Sequence, residues 1–186
     1  MITPGIASAE TVGKDEDCND STCLGVWDGI LANCAPMTPG AGCVSSQDDT
    51  TQDVFLEPWD YAEAVDLDWK VQKKRLLPAI LIVSKIHGDE VQVLFQQERY
   101  VKVMFVDMKT LEKSIGEFYF TPNDSTVQYR VSSISPNTSV LSLKNKERCE
   151  LIRKELGYLK LPVIRTRTAN DFSPGEWALA KVMGII

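Results

Sequence analysis

Five cysteines are spread unevenly along the 186 residues, with Cys18, Cys23, Cys34 and Cys43 inside a 26-residue span and Cys149 far downstream. Clustered thiols can pair as disulfides, ligate a metal or stay reduced. Four allow two bridges in three connectivities. The spacing Cys-x4-Cys-x10-Cys-x8-Cys lacks the close pairs of structural zinc sites; only Cys18 and Cys23 come near, so no metal is expected. Asp15, Asp17 and Asn19 start like a calcium loop, but Asp20 stands where glycine is required and Val26 where glutamate is. The single histidine, His87, falls in an IHGDE turn, and Cys149 falls among apolar helix positions, which marks it as core. No phosphate loop, GxSxG or HExxH occurs. One polar set remains: Glu117 and Arg130 on strands that pair across a hairpin, and Arg148 on the helix that follows. It reads either as a structural ion pair on a sheet or as an anion-binding site.

The elements that would position these residues form three stretches. Residues 1–58 are loop-like and acidic, with seven glycines and prolines between Gly13 and Gly42 and a short helical turn expected near 24–31. A segment this poor in apolar periodicity has few ways to order itself, and cross-links are one. Residues 59–160 carry the periodic elements. Val65, Trp69 and Leu76 share a helical face over 62–77, with Pro78 as its end. Strands follow over 79–87, 91–97 and 100–108, then 117–122 and 126–134 around an Asn123-Asp124-Ser125 turn. Val127, Tyr129 and Val131 alternate with Gln128, Arg130 and Ser132, so the two sets take opposite faces. Ser142 is the expected cap of a second helix, with Leu143, Cys149, Ile152 and Leu156 on its apolar side and Gly157 ending it. Residues 161–186 form a tail whose Trp177, Val182, Met183, Ile185 and Ile186 are candidates for contact with a partner. The order predicts an α+β fold: an antiparallel sheet of four to five strands covered on one face by two helices, with a cysteine-containing arm.

Charge is polarised along the chain. Residues 1–68 hold fourteen Asp/Glu against one Lys; the remainder holds nineteen Lys/Arg against twelve Asp/Glu. An acidic arm repels phosphates, so nucleic acid is not an expected partner. The longest apolar run, Leu76 to Val83, is broken by Pro78 and far short of the ~20 residues that span a bilayer. Ala7-Ser8-Ala9 has the small-x-small form of a processed targeting sequence.

CVSSQ at 43–47, EFYFTPNDSTVQYRVSS at 117–133 and LKNKERCELIRKELGY at 143–158 together resemble the family called domain of unknown function 1499. The GKDEDC leader before CVSSQDD resembles its plastid branch. The resemblance spans roughly residues 13–167. The family's Asp-Asp-Val-Glu-Phe stands here as Ser114-Ile115-Gly116-Glu117-Phe118, and the second arginine of its Arg-Ser-Ala-Ser-Arg as Ile134. The resemblance implies a plastid protein of the thylakoid lumen; we expect it to be peripheral to the membrane and without a cofactor. It brings no reaction, so a non-catalytic scaffold or auxiliary subunit of a photosynthetic membrane complex is expected. The alternatives are a small-ligand or enzymatic domain with a polar site at Glu117 and Arg130, and a redox-responsive module. An oxidising lumen favours disulfides among Cys18, Cys23, Cys34 and Cys43.

Overall fold

Nineteen residues, Trp69–His87, form one helix, α1, that runs straight through Pro78. A computed structural model describes residues 24–34, 42–47, 54–134 and 139–163. The expected helix over 62–77 and strand over 79–87 are therefore both corrected. Asp68 starts α1 by accepting the Lys70 N–H at 2.9 Å, and Val65 lies outside it, fully exposed. An interior proline removes one backbone bond and costs about 3 kcal/mol. Here Pro78 lies on the outer side, while Leu76, Ala79, Ile80 and Val83 bury the inner face. Their spacing has the helical period, and that burial outweighs the lost bond. Gly88, at φ 74°, ends α1 with its N–H on the Lys85 and Ser84 carbonyls.

Four long strands follow: β5 (Asp89–Gln97), β6 (Tyr100–Asp107), β7 (Lys113–Phe120) and β8 (Thr126–Ser133). They form an antiparallel meander, and the expected Asn123 turn joins the last two, with Asn123 at φ 57°. Among the described residues, three two-residue strands complete a sheet of seven, more than the four to five expected. β3 (Val44–Ser45) and β4 (Trp59–Asp60) both pair with β8, and β9 (Leu159–Lys160) pairs with β4. Pieces this short carry no alternation to read; only pairing with a neighbouring strand defines them. A separate hairpin is made by β1 (Val26–Trp27) and β2 (Ile30–Leu31). Its turn residues Asp28 and Gly29 both have positive φ, the type I′ geometry that Asp-Gly favours. The helical turn expected at 24–31 is thus a β-hairpin, and the Asp-Gly pair between apolar residues was its signal.

The second helix, α2, spans Ser139–Leu156, so Ser142 is interior rather than a cap. Its buried stripe is Asn145, Arg148, Cys149, Ile152 and Leu156, while Leu143 is exposed against expectation. Gly157 closes it as expected. Gly157 N–H donates to Lys154 O and Tyr158 N–H to Arg153 O, and Tyr158 folds back into the core. Both helices cover one face of the sheet. Trp59 is enclosed there, 4.3 Å from the Tyr129 ring and 5.7 Å from that of Phe118. Among the described residues, no helix is long and apolar enough to cross a membrane.

Candidate functional site

Strand parity decides where the polar residues go. On β7 and β8, Phe118, Phe120, Val127, Tyr129 and Val131 point to the helices. Glu117 and Arg130, directly opposite one another in register, therefore point to the other face. Bare, that face would leave a carboxylate and a guanidinium in water. Instead the β1–β2 hairpin lies over it, with Val26 and Leu31 packed on Tyr100 and Tyr119. Glu117 is wholly buried and Arg130 is 3% exposed.

Glu117 is saturated by its own chain. Its Oε1 accepts from the Tyr100 hydroxyl and the Gly25 N–H, each at 2.6 Å. Its Oε2 accepts from Arg130 Nε at 2.8 Å and Nη2 at 2.6 Å. Arg130 Nη1 donates onward to the Asn33 carbonyl at 2.6 Å. Beside them Gln128 accepts the Leu31 N–H at 2.7 Å and donates to Thr121 Oγ1 at 3.2 Å and to the Gly29 carbonyl. Three sheet side chains thus clamp the backbone of 25–33, using charge-assisted bonds where burial makes an unmade bond costly.

Arg148 does not join this set. It lies on α2, across the sheet from Glu117, with its guanidinium 4.4 Å from the Phe105 ring centre. Its charge is met by Asp89 at the start of β5, and its Nη1 donates to Asn145. Lys144 bridges Asp89 at 2.7 Å and Asp107. Burial alone would raise the Asp107 pKa. The hydrogen bonds from Lys144 and from the Lys109 and Thr110 N–H groups outweigh burial and hold it at about 2.

The two clusters are tied by a disulfide. Cys34 and Cys43 are bonded, with Cα atoms 5.9 Å apart. Cys34 follows Asn33, whose carbonyl takes Arg130; Cys43 follows Gly42, whose carbonyl takes the Asn145 amide at 2.6 Å. The bridge therefore holds together the two backbone acceptors that satisfy the clusters on either side of the sheet. Cys18 and Cys23 lie outside the described residues, as do Trp177, Val182, Met183, Ile185 and Ile186.

The remaining chemical candidates are quiet. Burial pushes the Cys149 thiol up to about 12, so it carries almost no thiolate at neutral pH. His87 sits at the end of α1, partly buried, where desolvation and then the Arg148 charge lower its pKa. Among the described residues, no three His, Cys, Asp or Glu side chains converge as a metal site. The Gln128 clamp was missed in the sequence, although Gln128 shares the Arg130 face in the period-2 pattern. Asp89 was missed because nothing local distinguishes a turn aspartate from a buried counter-ion. Comparison with family models, with curated proteins and with solved structures returns no match.

Proposed function

We propose that this chain is a non-catalytic protein of the thylakoid lumen, acting as a scaffold or auxiliary subunit of a photosynthetic membrane complex. The plastid setting and the assignment to the domain of unknown function 1499 family rest on the sequence resemblance. The non-catalytic part rests chiefly on one observation. The four donors that fill the Glu117 carboxylate all come from the chain itself, so it has no lone pair in hand for a substrate or a proton relay. The inert Cys149 thiol supports the same reading. The Cys34–Cys43 bridge supports an oxidising compartment. The test is co-purification with detergent-solubilised thylakoid complexes. Recovery solely as a free monomer, at every salt concentration, overturns the reading.

A second reading is favoured by where the bridge lies. Reducing Cys34–Cys43 would untie the hairpin that covers Glu117 and Arg130, making the module redox-responsive. Protease cleavage within 24–34 that appears only after reduction supports it; an identical cleavage pattern in both states rejects it.

A further inference from the structure

The single histidine of the chain stands at a junction of three elements. His87 is the last residue of α1, and Gly88 turns the chain directly into β5. Met108 N–H donates to the Gly88 carbonyl at 3.1 Å, which ties this turn to the end of β6. Asp89, the next residue, is the centre of an ion network. Its Oδ1 accepts from Lys144 Nζ at 2.7 Å, and its Oδ2 accepts from the Arg148 guanidinium, with Nε at 3.1 Å. Both cations come from α2. Lys144 also reaches Asp107, the residue opposite Asp89 in the β5–β6 register. Arg148 donates onward to Asn145, whose amide donates to the Gly42 carbonyl at 2.6 Å, beside the bridged Cys43. The docking of α2 at this end therefore converges on one aspartate, two residues from His87.

The imidazole is not satisfied as the network is. Its Nε2 is buried and meets no hydrogen-bond partner among the described residues. A bare nitrogen on a neutral ring costs far less than a buried, unpaired N–H of a charged one. A helix C-terminus ordinarily favours a protonated histidine. The surroundings oppose it here. Desolvation acts first and the Arg148 charge second, with Lys144 adding to them, while Glu147 and Asp89 pull the other way. Glu147, on α2, and Lys85, earlier on α1, are exposed, so water screens both. Both Asp89 oxygens are already occupied by α2, and Asp107 is held by Lys144. A protonated His87 can gain Asp89 only by displacing a cation of α2.

We propose that His87 makes the α1–β5–α2 junction an acid-sensitive latch. Neutral, it lies beside the Asp89 network and the first turns of α2 stay docked. When it takes a proton from solvent it competes with Lys144 and Arg148 for Asp89, and those turns loosen from the sheet. Through Asn145 the same step slackens the hold on Gly42. The device goes beyond the scaffold reading and does not depend on it. Its sign follows from the neutral form being the one favoured in the folded state. The junction is fully stable above the ordinary histidine value of 6.5 and loses stability as pH falls through that value toward the lower folded one.

Proton NMR of the full chain gives one imidazole titration, which belongs to His87 without further assignment. Its midpoint is expected below 6.5. Hydrogen exchange, corrected for its intrinsic pH dependence, is compared at about pH 7.5 and about pH 5.5. Protection of the Met108 amide and of the amides of 143–149 should fall at the lower pH. The fall should approach about tenfold for each pH unit by which the His87 midpoint lies below 6.5. Gly25 and Leu31, on the other face of the sheet, should keep their protection. His87→Gln, which cannot take the proton, should hold the junction amides equally protected at both pH values. Four results overturn the proposal: a midpoint at or above 6.5, unchanged junction protection in the wild type, an equal loss at Gly25 and Leu31, or a loss in His87→Gln as large as in the wild type.

Discussion

Replacing Glu117 by leucine tests whether the buried clamp holds the hairpin to the sheet. The change keeps volume and removes the acceptor of four donors. Arg130, 3% exposed, keeps its bond to the Asn33 carbonyl and loses the Glu117 carboxylate. Breaking a buried pair on one side costs about 3–5 kcal/mol, because the remaining charge stays buried without the carboxylate that faced it. For a chain of this length that is a fall in Tm of roughly 10 °C. Replacing both partners, as in Glu117→Leu with Arg130→Met, removes the buried charge as well. It still removes the Glu117 oxygen to which Gly25 N–H and the Tyr100 hydroxyl donate, so a loss of about 1–3 kcal/mol remains. The double variant should therefore be more stable than Glu117→Leu alone. Urea unfolding of the wild type, both singles and the double closes the cycle. Hydrogen exchange should show the amides of Gly25 and Leu31 losing protection first. A loss under about 1 kcal/mol for Glu117→Leu, the size of an exposed pair, would refute the clamp. So would a double variant as unstable as the sum of the singles.

Three further outcomes follow from the same geometry. A Cβ on Gly116 would lie 2.6 Å from the Phe105 ring, so Gly116→Ala should cost about 1–3 kcal/mol by urea unfolding, partly recovered by Phe105→Leu. The Asp107 pKa is lowered from 3.8 to about 2. Its contribution to stability is then complete above the unfolded-state value and disappears as pH falls from about 4 through about 2. Asp107→Asn should flatten that limb of the stability–pH curve, and an unchanged limb counts against the Lys144 bridge. Cys34→Ser opens a loop with a sequence separation of 9 residues and should cost about 3 kcal/mol in non-reducing buffer, with no difference from wild type once both are reduced.

Sequence periodicity read some of this molecule well. The β7–β8 hairpin, with Glu117 against Arg130, was legible because a turn triplet separates two alternating runs. Gly157 and Tyr158 were legible because a helix end has a local geometry that glycine serves. It misread 79–87 because a short apolar run is compatible with strand and helix alike, and Pro78 tipped the reading the wrong way. What decided the case was the sheet beneath α1, which only the burial of Ala79, Ile80 and Val83 together reveals. Likewise Arg148 was grouped with Glu117 and Arg130 on chemical type, and the sheet stands between them.

The sequence by itself determined the local terms: the α+β composition, the two faces of β8, the polarised charge and the clustering of cysteines. Each depends on neighbours along the chain, within reach of a turn or a repeat. Only the tertiary structure decided that the Glu117–Arg130 pair is covered by the chain's own hairpin, with contacts over sequence separations of 92 and 97. It also decided which thiols joined Asn33 and Gly42 into one brace, and which apolar side chains were left outside. Those outcomes depend on strand register and on burial across the sheet, and no spacing in the sequence encodes the distance between residues that the fold brings together.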